Sequence, residues 1–527
     1  MPSASETYWN NFQVNPKDIE RAYAYMVEKG ETVPIAELAR TVIGARVQEE
    51  QERRSRLSSE AHLYQPKASY EIGQRLIFSA LDDVEGTVTN LRNSENPRLA
   101  PFQIIQVALK DGTTREFAAA YTEPHPLNEV KPAATGAADE SPDEIYARFG
   151  SNIERALTVQ LRTDKEFVEQ DGKWLLRDAL SEIDEFGLNI IEAAIEQNNS
   201  AMTTFGLARV LKNDAGMNLD LDGPKRDTTL FSLDYALRRD ERFVDVGPQS
   251  ETRWFLNRLV PADVLVTPRV LHFARGVRVE NELPPELETI LSEIQDDNDA
   301  DTWSDNPPTT VNLVLTYPHR RAGSLPLTQG VRALFPHANK PMLVSLVDEY
   351  NVRIPAWVVP EDNYVYGLKN WYDKHKMNSG ALLELAPREE PFTATLRFQP
   401  RREGKSLWVH TAKVENMHLT FGNTPRPVAF KYDEEMLIIA EDQAGLDKLT
   451  ASNYGDRPLD LLLLDVFPEL VKLGGGSSIH AKTLYSAVNF AKRAGARAVF
   501  SALVNNPAFS MTSGGYFVLQ QMAARAV

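Results

Sequence analysis

Three stretches of this chain end in the same way, and that shared ending constrains the fold more than any other feature. They are "LTVQLRTDKEFVEQDGKWLLRDAL", "SLDYALRRDERFVDVGPQSETRWFLNRL" and "FSALVNNPAFSMTSGGYFVLQQ". Each runs from a helix-like segment to an aromatic residue, a glycine-containing turn and a short strand ending on aromatic or leucine. The aromatics are Phe167, Phe243 and Phe509 before the turn, and Trp174, Trp254 and Phe517 after it. Alternation in "RFVDV" and "RWFL" places Phe243 and Trp254 where cross-strand packing ties a hairpin to the helices before it. The same order of aromatic, glycine turn and aromatic in all three stretches predicts a repeated unit of helices closed by a hairpin, and hence an α+β chain of several domains.

The segments leading into these endings divide the chain. Residues 1–66 read as two short helices, "KDIERAYAYMVEKG" after Asn15-Pro16 and "VPIAELARTVIGARVQEEQERRSR", joined at Gly30 and similar to the first half of a helix-turn-helix. Residues 67–130 hold four β-rich runs between Gly, Asn-Pro and Asp-Gly turns, which predicts a small SH3- or OB-like β-barrel. Its loop "RNSENPR" carries Arg92 and Arg98. A Pro/Ala/Gly-rich linker follows. Residues 141–180 form a partial copy of the repeated unit, with Ser141 capping a helix. Residues 183–275 and 430–527 form fuller copies. Between them lie an acidic linker (276–306), a second β-rich module (307–405) and a connector (406–429).

Composition bounds the function. Of 527 residues, 42% are hydrophobic and 25% charged, which is ordinary for globular domains. There is no apolar run of the ~18 residues that span a bilayer, and the N-terminus lacks the order of a signal peptide. The expectation is therefore a cytoplasmic protein without membrane partners. The absence of cysteine excludes disulfides, thiolate metal sites and cysteine nucleophiles. A net charge of −17 means that any nucleic-acid surface must be local, because phosphate neutralisation needs basic groups. Charge is unevenly placed. Glu280 to Asp305 holds ten acidic residues and no Lys or Arg, whereas Val471 to the end holds six basic residues and no acid.

The second and third copies resemble winged helix-turn-helix domains of the HARE type, the family of the bacterial RNA polymerase delta-subunit N-terminal domain. "HAKTLYSAVNF" resembles the recognition-helix stretch of that family, and "RRDERFVDVG…WFL" resembles its close. At "NNPAFSMTSGG" the acidic and basic pair usual before the Phe is missing. The resemblance implies that a recognition helix enters the major groove while the wing touches phosphate. It assigns DNA contacts to Lys482, Tyr485, Asn489, Lys492 and Arg493 in the third copy, and to Arg238 and Arg239 in the second.

The module after the acidic linker, with "LT…GSLPL", "VSLVDEYN" and "GLKNWYDKHKMNSGALLEL", resembles the plant-type DNA-binding pseudobarrel and its restriction-enzyme relatives. Carried over position by position, its first DNA-gripping loop falls on Tyr317 to Gly323 and gives Arg320 and Arg321. Its second falls on "PEDNYVY", where Glu361 and Asp362 would repel phosphate.

Catalytic patterns are thin. Glu403-Gly404-Lys405 fits half of a metal-dependent nuclease, without a matching upstream Asp. The nine histidines show no zinc spacing, and "GGGSS" lacks the Lys of a phosphate loop. No catalytic, cofactor or metal residue is assigned. The expected function is non-enzymatic, transcription-associated DNA binding through winged helices. A protein-interaction scaffold, such as an RNA polymerase accessory factor, is the competing class, and a defence or restriction component rests on analogy alone.

Overall fold

The computed structural model describes residues 8–60, 62–78, 81, 84–94, 101–110, 112–128, 141–274, 279–280, 282–295, 306, 308–401, 406–452, 454–474 and 476–520, the side chains of 53–60 and 126 excepted. The chain divides into two compact units, residues 1–182 with 220–235 and residues 183–219 with 236–527. Among the described residues, no helix is long and apolar enough to cross a membrane.

In the first unit, α1 (Pro16–Lys29) starts at a capping box in which Asn15 and Asp18 satisfy each other's backbone N–H groups. It ends at Gly30, whose φ of 65° suits a residue without Cβ. β1 (Val33–Pro34) leads directly into α2 (Ile35–Glu60). Then β2 (His62–Leu63), β3 (Arg75–Phe78), β4 (Val84–Asn93), β5 (Gln103–Leu109) and β6 (Thr114–Ala119) form a five-stranded sheet in sequence order, around Tyr64, Phe78, Val88 and Ile105. After it come α3 (Pro142–Thr163), capped by Ser141 and Glu144, and the hairpin of β7 (Phe167–Gln170) and β8 (Lys173–Leu176). The hairpin turns on Asp171-Gly172, both at positive φ.

β1 pairs with β8, giving the sheet order β1-β8-β7, and α1, α2 and α3 share one core through Met26, Leu38, Val42, Ile153 and Leu157. Residues 1–66 and 141–180, expected as separate segments, are therefore one helix–strand–helix–helix–strand–strand domain. The small sheet is inserted between its second and third helices.

The same order recurs twice. The second copy is α4 (Glu185–Asn198), β9 (Met202–Thr203), α5 (Thr204–Asn213), α6 (Arg226–Arg239), β10 (Phe243–Asp245) and β11 (Arg253–Leu256). Residues 226–235 of α6 are counted with the first unit. Next comes α7 (Pro285–Ile294), a helix within the stretch expected as an acidic linker. Its Leu287, Ile290, Leu291 and Ile294 are buried in a core shared with the third copy, so this part of the acidic stretch is structural.

The β-rich module is one seven-stranded sheet, β12 (Val311–Val314), β13 (Ser324–Pro326), β14 (Met342–Val347), β15 (Arg353–Val359), β16 (Tyr364–Tyr366), β17 (Leu382–Pro387) and β18 (Thr393–Phe398). The strand order is β12-β17-β18-β14-β15-β16-β13, curled into half a barrel and parallel only at β14–β18. α8 (Tyr317–Ala322) joins β12 to β13, and α9 (Lys369–Lys374) precedes β17. Residues 406–429, expected as a connector, instead carry the long hairpin of β19 (Leu407–Glu415) and β20 (His418–Arg426), with β21 (Ile438–Ala440) parallel to β19. α10 (Gln443–Ala451) leads to the third copy: α11 (Leu459–Gly474), β22 (Ser478–His480), α12 (Ala481–Val488), α13 (Ala496–Asn505), β23 (Phe509–Met511) and β24 (Tyr516–Leu519).

The copies agree in register as well as in order. Phe167, Phe243 and Phe509 pair with Leu176, Leu256 and Leu519 across the hairpin. Trp174, Trp254 and Phe517 lie opposite Val33, Met202 and Ile479 of the first strand, and each is 1% exposed. Trp254 also donates from its indole to the Thr204 hydroxyl at 3.2 Å. Truncating such an anchor removes a large buried side chain from a strand of four residues. Trp254→Ala is expected to cost about 3–5 kcal/mol, and a chemical denaturation curve of the full chain against wild type measures this.

Candidate functional site

The residues singled out in the third copy lie inside the protein. α12 was expected to be the recognition helix, but it is the second helix of its unit, and Ala481 and every residue from Thr483 to Val488 are buried. Lys482 is 12% exposed, and its Nζ donates to Glu293 Oε2 at 2.7 Å and Asp433 Oδ2 at 3.0 Å. Burial works against its ammonium, yet the two carboxylates outweigh this and hold its pKa above the ordinary lysine value. Tyr485 is buried edge-on to Phe500. Asn489 is buried too, donating to the Tyr485 and Ala494 carbonyls and accepting from the Ala494 N–H.

Arg493 is 1% exposed. Its guanidinium donates to the carbonyls of Leu271, Asp362 and Asn363, each at 2.9 Å, and lies 3.8 Å over the Phe273 ring. Lys492 is half-buried, with Nζ 3.4 Å from the Arg457 carbonyl. Lys482, Tyr485, Asn489 and Arg493 therefore hold the fold together, and the expectation of a DNA-facing α12 is corrected.

The third helix, α13, is covered as well. Arg497 makes a two-pronged ion pair with Glu288 of α7 at 2.8 and 2.9 Å. The Ser501 hydroxyl accepts from the Glu280 N–H, and the Asn505 amide donates to the Glu280 carboxylate. The acidic segment thus lies where a groove-reading helix would need open solvent.

Arg320 and Arg321 lie on α8 rather than in an open gripping loop. Arg320 donates to the Met377 carbonyl and pairs with Asp373 at 2.7 Å. Arg321 is bidentate to Asp447, at 2.9 and 2.7 Å, and these hydrogen bonds hold that carboxyl below the usual aspartate range. Glu361 and Asp362 sit just before β16. Arg238 and Arg239 end α6 and are exposed, the Arg238 guanidinium lying 6.0 Å from the Trp254 ring centre. In the first unit, Phe231 of α6 packs on Val168 and Leu175 of the β7–β8 hairpin. Arg92 pairs with Glu116 at 2.9 Å. Arg98 and Glu403-Gly404-Lys405 lie outside the described residues. Among the described residues, no group of three or more His, Asp or Glu is placed to hold a metal.

One basic surface escaped the sequence reading. α3 buries Ile145, Phe149, Ile153, Leu157 and Leu161 along one side. Opposite them, Arg148, Arg155 and Arg162 are exposed. Residues seven apart on a helix drift by only about 20°, so the three arginines form a stripe with steps of about 10 Å, the Arg148 guanidinium lying 5.0 Å from the Phe149 ring centre. Ser151 and Val159 lie between them, and Lys165 and Lys173 are exposed at the adjoining turn and hairpin. Arg162 pairs with Glu169 at 2.9 Å across an exposed surface, a contact of the kind worth at most about 1 kcal/mol. The signal was present in the sequence as arginines spaced by seven, out of phase with the apolar positions.

The Glu288–Arg497 pair has a pH signature. The Arg497 guanidinium holds the Glu288 carboxyl below the usual glutamate value. The pair therefore stabilises the fold fully above the unfolded-state pKa of about 4.3, and its contribution is lost as pH falls through the lower folded value. Urea denaturation at a series of pH values should show wild type losing its advantage over Glu288→Gln between about pH 5 and pH 3. Compared with known proteins, the chain matches no family model, no curated protein and no solved structure.

Proposed function

We propose that this chain is a non-enzymatic, transcription-associated DNA-binding protein whose three repeated units are winged helices, and that the first of them meets DNA. The observation that carries this reading is the outward stripe of Arg148, Arg155 and Arg162 on α3, the third helix of its unit. In a winged helix, the third helix lies in the major groove, while the hairpin reaches phosphate. Lys173 stands on that hairpin beside the Asp171-Gly172 turn. On a chain of net charge −17, such a local patch is what a nucleic-acid surface requires.

The second reading gives the other two copies a protein-interaction role. Phe231 in the third helix of the second copy packs on protein, and so does α13 in the third copy. These contacts lie within the chain, so a protein partner of those copies, such as RNA polymerase, would meet other surfaces.

The test is a gel-shift titration of the full chain on a short duplex over a range of salt concentrations. Binding with a steep salt dependence is expected. Arg148→Glu with Arg155→Glu should lower the log–log slope by about 2, at roughly 0.9 per phosphate contact, with the circular dichroism spectrum unchanged. Absence of binding at low salt overturns the DNA reading. Co-purification with RNA polymerase in that case supports the second one.

A further inference from the structure

The second unit contains a cavity of about 590 Å³, within the range of small-molecule sites, between the segments around residues 267–273, 450–456 and 489–493. Its charged lining residues are Arg269, Lys492, Arg493 and Asp456, with His272 alongside. The cations here are held differently from five others in this unit. Arg320, Arg321, Lys482, Arg497 and Arg242 each have a carboxylate oxygen at 2.7–3.0 Å. Arg269 reaches Asp456 only at 3.5 Å, with both side chains more than half exposed. Lys492 directs its ammonium at a carbonyl 3.4 Å away, which leaves donors for a ligand. The His272 ring donates from Nε2 to the Thr267 carbonyl at 3.1 Å, which ties it to the wall.

The cavity wall is tied together by hydrogen bonds. Arg493 fastens Leu271 to Asp362 and Asn363 and forms a bridge with Phe273 through the backbone, where the Ala274 N–H donates to the Arg493 carbonyl. A wall fixed in advance lowers the ordering cost of binding. We propose that this cavity binds a small phosphate-bearing molecule of about nucleotide size, with Lys492 and Arg269 gripping the phosphate and Arg493 positioning the wall. A concave site of this volume takes one small molecule and has no room for a duplex. The assignment is independent of DNA binding through α3, which uses none of these residues.

Calorimetric titration of the full chain with inorganic phosphate, pyrophosphate and adenosine monophosphate, in low-chloride buffer, tests the proposal. Saturable binding of at least one probe is expected, weakened about tenfold or more by Lys492→Met and by Arg269→Gln, since each removes one charge-assisted contact. Lys492→Met keeps the apolar stem, and Arg269 is on the surface, so both variants should keep the wild-type circular dichroism spectrum. Lys472→Met, at an exposed site paired with Glu469, should bind as wild type does. No saturable binding of any probe up to about 10 mM, a Kd beyond which the contacts would be worth under about 3 kcal/mol, overturns the proposal. So does binding that neither cavity substitution weakens, or that duplex DNA abolishes by competition.

Discussion

The repeated unit depends on a single aromatic side chain set opposite its first strand. That strand has only two or three residues, too few to hold a sheet by ladder hydrogen bonds alone, and Trp174, Trp254 or Phe517 supplies the buried area that fixes it. With the anchor in place, the first strand passes straight into the second helix, and the helices can close over the sheet. Because this packing faces inward, the outer surfaces of the copies are free to differ. The first copy carries an arginine stripe on α3. The second rests Phe231 on a neighbouring hairpin, and the third lies under α7.

Charge follows the same division. The net charge of −17 suggests a surface poor in cations, yet the chain has 57 basic residues, and many are committed to particular carboxylates. Glu288 with Arg497, Asp447 with Arg321, and Glu293 and Asp433 with Lys482 place acids from one element on bases of another. Among the described residues, the basic groups after Val471 are consequently tied to the fold and do not form one open basic surface. Arg493 goes further, its cation held by three carbonyls and an aromatic face.

What could be read in the sequence was local. Phe167, Phe243, Phe509 and their partners after the turn were legible because alternation and turn glycines act over a few residues. The caps at Asn15 and Ser141 were legible for the same reason. The first strands were not: Val33–Pro34 and Met202–Thr203 are shorter than any period. The burial of Lys482 was hidden because it depends on Glu293, 189 residues earlier in the chain. Glu280–Asp305 read as linker on its acids, while Leu287, Ile290, Leu291 and Ile294 mark an amphipathic helix within it. The pairing of 1–66 with 141–180 was hidden by the strands between them.

That insertion bears on how the first unit assembles. α2 and α3 share a core although about eighty residues separate the end of one from the start of the other. At equilibrium the separation costs little, since each doubling of a loop adds only about 0.6 kcal/mol of closure entropy. The rate is a different matter, because contacts distant in sequence form late. During synthesis from the N-terminus, α1 and α2 emerge with Met26, Leu38 and Val42 uncovered, and the five-stranded sheet follows before Ile153 and Leu157 arrive to cover them. The first unit therefore spends part of its synthesis as a helical pair with an exposed apolar face.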